Sequence, residues 1–206
     1  GSNTQNITVG TGWKGRASYT ADGTEMKVYG DLTNFDCQYN GANISALVSH
    51  NTLLMWLYCQ NNGLSSLDVS KNKQLIGLYC RNNNLTTLDV SGCTQLTKLW
   101  CYDNNFTTAA LDDIFCALPV RQASDNARIQ PVYSDTSSNH AIVLATNKAN
   151  AIAKNWKVQY YEGNADIPAT TGKHKCSATD IAEVAAEPAL TLYPNPVADV
   201  LYLSAT

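Results

Sequence analysis

The sequence predicts a solenoid, a stack of short coils in which each coil adds one strand to a curved parallel sheet. Three observations lead there. Cys59, Cys80 and Cys101 recur with one fixed spacing, and Asn62, Asn83 and Asn104 keep the same spacing. The pairs Leu64 and Leu85 and Val69 and Val90, and the serines Ser49, Ser70 and Ser91, share it. Within each copy, the run LYC at Leu57 and at Leu78, and LWC at Leu99, alternates apolar and aromatic positions with the two-residue period of a strand. A fixed period of this length marks units that cannot bury an apolar face alone and must stack to do so.

Cys37 and Asn40 precede Cys59 and Asn62 by one position more than that spacing, so a further copy begins near Leu32, with 41–47 aligning ambiguously. The order Leu75-x-x-Leu78-x-Cys80-x-x-Asn83-x-Leu85 resembles the leucine-rich repeat. The fold class expected is therefore a leucine-rich repeat solenoid, α/β by its C-terminal coils. Its 21-residue repeats have extended or irregular backs, because no helix-length apolar pattern fits between Leu64 and Val69 or between Leu85 and Val90. Leu57, Leu78 and Leu99, then Cys59, Cys80 and Cys101, point inward and stack at the strand spacing of about 4.8 Å. Asn62, Asn83 and Asn104 stand where the chain leaves the strand, and their amides can satisfy backbone groups that the sheet no longer pairs.

The chain divides in order into five segments. Residues 1–31 read as an N-terminal β cap, with strand-like runs at 6–9 and 25–29 separated by glycines and the turn signal Ala21-Asp22-Gly23. Residues 32–106 carry the 21- and 22-residue repeats. Residues 107–162 read as longer, helix-containing coils. Thr107 or Thr108 caps a helix with Asp112 and Asp113 in its first turn and Leu111, Ile114, Phe115 and Leu118 on one face. A strand comes next at 128–133, weakened by Pro131; 141–144 is apolar without a clear assignment. Asn147 caps a second helix through Lys154, and 156–160 alternates as a strand. Residues 163–188 read as a closing segment and a linker. The ALDDIF…LP and IAKNWKVQYY arrangement resembles the terminal coils of internalin-like secreted bacterial leucine-rich repeat proteins. The stretch ALTLYPNPVADVLYLSAT at 189–206 resembles the start of the C-terminal sorting domain of the type IX secretion system. These resemblances imply a secreted or outer-membrane surface protein of bacterial type, adhering to a host or neighbouring-cell protein.

A net charge of -3 and a pI near 5.5 argue against a nucleic-acid partner. No apolar run approaches the roughly 18 residues of a membrane span, so no membrane-spanning segment is expected. Of seven cysteines, Cys37, Cys59, Cys80 and Cys101 form the inward ladder. Their Cβ spacing of about 4.8 Å is longer than a disulfide prefers, and stacked thiols do not converge as zinc ligands must. They are expected as buried thiols acting as small hydrophobes. Cys93, Cys116 and Cys176 leave room for one disulfide, and an odd count leaves a free thiol if nothing is intermolecular.

No catalytic constellation is present: His50, His140 and His174 are scattered, and no nucleophile elbow, phosphate loop or His-Glu metal spacing occurs. Neither cofactor nor metal is expected. The informative surface is the outward side of the sheet, where Trp56, Tyr58, Gln60, Tyr79, Arg81, Lys98, Trp100 and Tyr102 alternate with the buried residues and are expected to face solvent as a ligand-binding strip. Asn34, Asp36 and Gln38 make its N-terminal end polar. An aromatic strip of this kind accepts a protein loop; the alternatives are a sugar ring stacked on it, or a structural spacer whose tyrosines serve only the sheet.

Overall fold

The strands pair in sequence order. In the computed structural model, which describes residues 7–8, 28–29, 32–39 and 51–177, β1 (Ile7–Thr8) and β2 (Val28–Tyr29) form a two-stranded parallel sheet. Six further strands, β3 (Asn34–Asp36), β4 (Trp56–Tyr58), β5 (Gly77–Tyr79), β6 (Lys98–Trp100), β7 (Arg128–Val132) and β8 (Lys157–Tyr160), form one open, wholly parallel sheet. This is a solenoid with one strand per coil. The chain divides into two units, Gly1–Lys175 and Cys176–Thr206. The expected N-terminal cap lies largely outside the described residues, and so does the sorting-like tail.

Register runs straight across the stack. Phe35, Leu57, Leu78, Leu99, Ile129 and Val158 are successive partners, and from Leu57 onward all are buried. Two residues on, Cys37, Cys59, Cys80 and Cys101 are buried thiols, as their alternation with leucine predicts. Leu54, Leu75 and Leu96 form a second fully buried column ahead of the strands. Burial pushes the Cys37 and Cys101 thiols up to about 12 and those of Cys59 and Cys80 well above the ordinary value.

A pair of residues turns the chain out of each strand. Asn61, Asn82 and Asp103 take left-handed backbone conformations with φ of 59, 53 and 53°, a region that Asn and Asp enter at little cost. The next asparagine then spans two coils. Asn62 donates through Nδ2 to the carbonyls of Cys37 and Cys59, both at 2.9 Å. Asn83 donates to those of Cys59 and Cys80 at 3.0 and 2.9 Å, and Asn104 to those of Cys80 and Cys101, both at 3.0 Å. The backs between Leu64 and Leu75 and between Leu85 and Leu96 carry no helix. Asp68 and Asp89 each accept from the backbone N–H two residues on, at 3.0 and 2.8 Å, and so close turns. Asn72 and Cys93 repeat the two-coil device on this side, donating to the carbonyls of Asn51 and Val69.

The terminal coils are longer and helical. In α1 (Thr108–Ala117), Thr107 is the N-cap, its hydroxyl accepting from Ala110 N–H at 3.2 Å, and Leu111, Ile114 and Phe115 are buried. Asp112 and Asp113 lie beyond the first turn, contrary to expectation. Asp112 is buried and accepts from the Asn147 backbone N–H at 2.7 Å, so it ties two coils together. The apolar stretch without an assignment forms a further helix, α2 (His140–Leu144), and the helix expected over 147–154 forms as the shorter α3 (Ala149–Ile152), with the Asn147 side chain accepting from Ala149 N–H at 3.3 Å. The Asn147 amide also donates to the His174 carbonyl at 2.7 Å. Residues 165–167 then run back along β8: Ala165 O accepts from Tyr160 N–H, Ile167 N–H donates to Val158 O, and Ile167 enters the core. The open edge of β8 is thereby covered, as an exposed edge requires. Cys93 is a free, buried thiol, whereas Cys116 and Cys176 are disulfide-bonded.

Candidate functional site

On the outward face, β4 to β6 contribute one central column. Tyr58, Tyr79 and Trp100 are register partners, with Gln130 next on β7. Tyr58 and Tyr79 stack with centroids 4.6 Å apart and planes 4° from parallel. Tyr79 meets Trp100 edge to face at 4.4 Å. Trp56 lies across Gly77 toward Tyr79, 6.2 Å away and nearly parallel to it. Offset and edge-to-face pairs of this kind each add about 0.5–1.5 kcal/mol beyond area burial.

Gly77 is what lets the indole come this close to β5. A Cβ there would stand 2.4 Å from Trp56 Cε3 and 2.5 Å from Cζ3, so the glycine marks a close approach. Gly77→Ala is therefore expected to displace Trp56, changing the near-ultraviolet circular dichroism at a cost of about 1–3 kcal/mol. An aromatic spectrum identical to the parent's would contradict this packing.

A second cluster lies toward β8. Trp100 contacts Tyr161 at 5.2 Å, Tyr161 contacts Tyr102 at 4.7 Å, and Tyr133 closes the triangle at 5.7 Å from Tyr102 and 5.6 Å from Tyr161. The Arg81 guanidinium carbon stands 5.6 Å from the Tyr102 centroid and 6.0 Å from that of Tyr161, within cation–π range. Lys98 Nζ is 5.9 Å from the Trp56 ring. The outer end of the face is polar: Gln60 donates to Gln38 at 2.6 Å, and Gln38 to Asp36 at 3.1 Å.

The eight residues expected to line the strip do lie together, five of them partly open to solvent and three buried. Tyr79 is 6% exposed, Tyr102 2% and Gln60 7%, while Trp56, Tyr58, Arg81, Lys98 and Trp100 are half-buried. Alternation places a side chain on a face but does not say that neighbouring rings will bury one another. Burial pushes the Tyr79 phenol up to about 12, with Tyr58 adding and Arg128 opposing, and burial raises Tyr102 also. Trp100 Nε1 and Arg81 Nε are buried without hydrogen-bond partners.

Tyr133 and Tyr161 join the face without having been expected there. Ile129 pairs with Val158, but Val132 pairs with Tyr160, so β7 holds one extra residue around Pro131. This bulge reverses the parity of the residues after it: Val132 is buried and Tyr133 emerges on the outward face. The signals were Pro131 itself, which cannot donate to a ladder, and the doubled Tyr160-Tyr161 at the end of β8.

Among the described residues no group of three or more His, Cys, Asp or Glu could hold a metal, and no helix is long and apolar enough to cross a membrane. His140 is engaged with the Tyr160 hydroxyl at 2.8 Å. His50 lies outside the described residues.

Residues 73–114 match the family model for leucine-rich repeats in two copies. Among solved structures, the functional domain of InlJ from Listeria monocytogenes, which includes a cysteine ladder, is similar at 24% identity and a TM-score of 0.43. That match covers 66% of this chain and 27% of the other, so the likeness spans about a quarter of that protein's length. No curated protein sequence matches the chain.

Proposed function

We propose that this leucine-rich repeat solenoid is a non-enzymatic recognition module that binds a partner protein through the outward, concave face of its sheet. The observation that carries the reading is the unbroken contact of seven aromatic rings, Trp56, Tyr58, Tyr79, Trp100, Tyr161, Tyr102 and Tyr133, across strands β4 to β8. Tyr and Trp beside Arg are the residue types that dominate binding hot spots, and rings held by one another lose little rotamer freedom on binding. The partner is an extracellular or host-surface protein. The sorting-like stretch 189–206 supports a secreted or surface-attached setting.

A glycan is the second reading, and ring orientation weighs against it. Stacking on a sugar needs an open ring face, yet Tyr58 and Tyr79 stack on each other and Lys98 Nζ stands over the Trp56 ring. What the centre of the band presents is ring edges, which suit apolar and backbone groups of a protein. A structural spacer would leave the face without a ligand.

The test is a screen of the 206-residue chain against arrays of extracellular proteins and of glycans, beside a folded Tyr58→Ala, Tyr79→Ala, Trp100→Ala variant. Expected is a saturable protein ligand whose binding falls at least about a hundredfold in the variant, as loss of hot-spot side chains entails. Equal binding by both chains places the site elsewhere, a ligand found only among glycans favours the second reading, and no ligand at all favours the spacer.

A further inference from the structure

One column beside the aromatic band, Lys98, Arg128 and Lys157 occupy equivalent outward positions on β6, β7 and β8. Lys98 is the register partner of Arg128, and Arg128 that of Lys157. Successive members of such a row stand about 4.8 Å apart, and like charges directly opposite one another destabilise a sheet. Arg121 pairs with Asp125 at 2.8 Å, whereas none of these three cations forms an ion pair among the described residues; the carboxylate of Asp166 bonds Gln159 instead, at 2.9 Å. The other outward residues of these strands, Trp100, Gln130 and Gln159, are uncharged. Three unopposed cations in register therefore stand out in a chain whose net charge is -3.

Their position relates them to the band. Lys98 reaches the Trp56 ring, and Arg128 lies near enough to Tyr79 to oppose the effect of burial on its phenol. Exposure increases along the row, from half-buried Lys98 and Arg128 to exposed Lys157. At the other end of the sheet, β3 presents Asn34 and Asp36, so the face runs from acidic and amide groups at β3 to basic groups at β6 to β8. An incoming chain thus meets a charged rail on one side of a strip of ring edges.

We propose that Lys98, Arg128 and Lys157 form a docking rail for an acidic, extended segment of the partner protein, which lays its carboxylates along the row and its apolar side chains against the aromatic band. The proposal rests on the concave-face reading and deepens it by naming the partner's chemistry. Binding would offset the mutual repulsion of the row, and the charges would steer encounter and set orientation.

The probe is a fluorescently labelled twelve-residue peptide alternating glutamate and serine around a central phenylalanine, compared with its lysine counterpart by anisotropy on the full chain. The glutamate peptide is expected to bind and the lysine peptide not. Affinity is expected to fall at least about tenfold between low and high salt, as screening of exposed charges requires. The same loss is expected in Lys98→Gln, Arg128→Gln, Lys157→Gln. Lys157→Glu alone, at an exposed position where the fold is indifferent, is expected to weaken binding about threefold or more. Failure of the glutamate peptide to bind, or equal binding by the triple variant, overturns the proposal. So does a sulfated glycan that binds the row where the peptide does not, which would make the ligand an anionic sugar. If a protein ligand from the array is retained by the charge variant but lost by the aromatic variant, the rail falls and the concave-face reading stands. If the aromatic variant also keeps that ligand, the concave-face reading itself has failed.

Discussion

Alkaline titration is expected to unfold the protein within about two pH units above the ordinary thiol pKa, because five free thiols lie inside the coils and lose a proton only by leaving them. Burial holds Cys37, Cys93 and Cys101 up to about 12, and Cys59 and Cys80 well above their ordinary value. A thiol whose folded pKa is raised contributes stability that is fully present below the unfolded pKa and is lost as pH climbs toward the folded one. Each thiol removes about 1.4 kcal/mol per pH unit across that window, so five remove roughly 7 kcal/mol per unit. A domain's whole stability is about 5–15 kcal/mol. Tyr79 and Tyr102, also raised, act with the same sign. Far-ultraviolet circular dichroism followed upward from neutral pH measures the transition, and Cys80→Ala is expected to make it shallower. A chain still folded well above the thiol range would mean that the ladder is open to solvent.

Asn83→Ala is expected to cost on the order of 4 kcal/mol, measured by urea unfolding, since several buried backbone groups lose their partner and each costs about 1–3 kcal/mol. Asn83 donates to Cys59 O and Cys80 O, and its Oδ1 accepts from Asn62 N–H at 3.1 Å and Leu64 N–H at 2.9 Å. One side chain thus stitches both the strand exit of its own coil and that of the coil before it. Its neighbour Asn84 is exposed, its side chain donating to Gly63 O at 3.3 Å, and Asn84→Ala, which keeps the backbone N–H, is expected to change stability by less than about 0.5 kcal/mol. Equal effects at the two positions would remove the special role given to the ladder.

That contrast also marks how far a period carries. Positions that recur once per repeat are subject to the same stacking condition in each coil, so the buried leucines, the thiol ladder and the asparagine turns were all legible from spacing. The same period held a further signal, Asn61, Asn82 and Asp103, the residues that take the left-handed turn. Beyond Asn104 the coils lengthen and the frame is lost. The step from Trp100 to its partner Gln130 is longer than that from Tyr79 to Trp100, and within β7 the bulge at Pro131 switches which residues face outward. Tyr133 therefore could not be projected onto the sheet from the repeats, nor Tyr161 joined to Tyr102. The helix at 140–144 was not legible, because its apolar run is too short to tell a helix from a strand by period alone. The burial of Tyr79 within the strip was not legible for a different reason, since it comes from rings on neighbouring strands.

The helices behind the last strands also act as a wedge. An α-helix with its side chains is about 10 Å across, whereas the strands in front of it are about 4.8 Å apart, so a helical back pushes successive coils open like a fan and tips their front surfaces toward one another. The rings of Trp100, Tyr102, Tyr133 and Tyr161 gather into one knot in front of these thicker, helix-backed coils. Behind β4 and β5, where no helix intervenes, the coils can keep the strand spacing on both sides, and there the rings of Tyr58 and Tyr79 lie 4.6 Å apart.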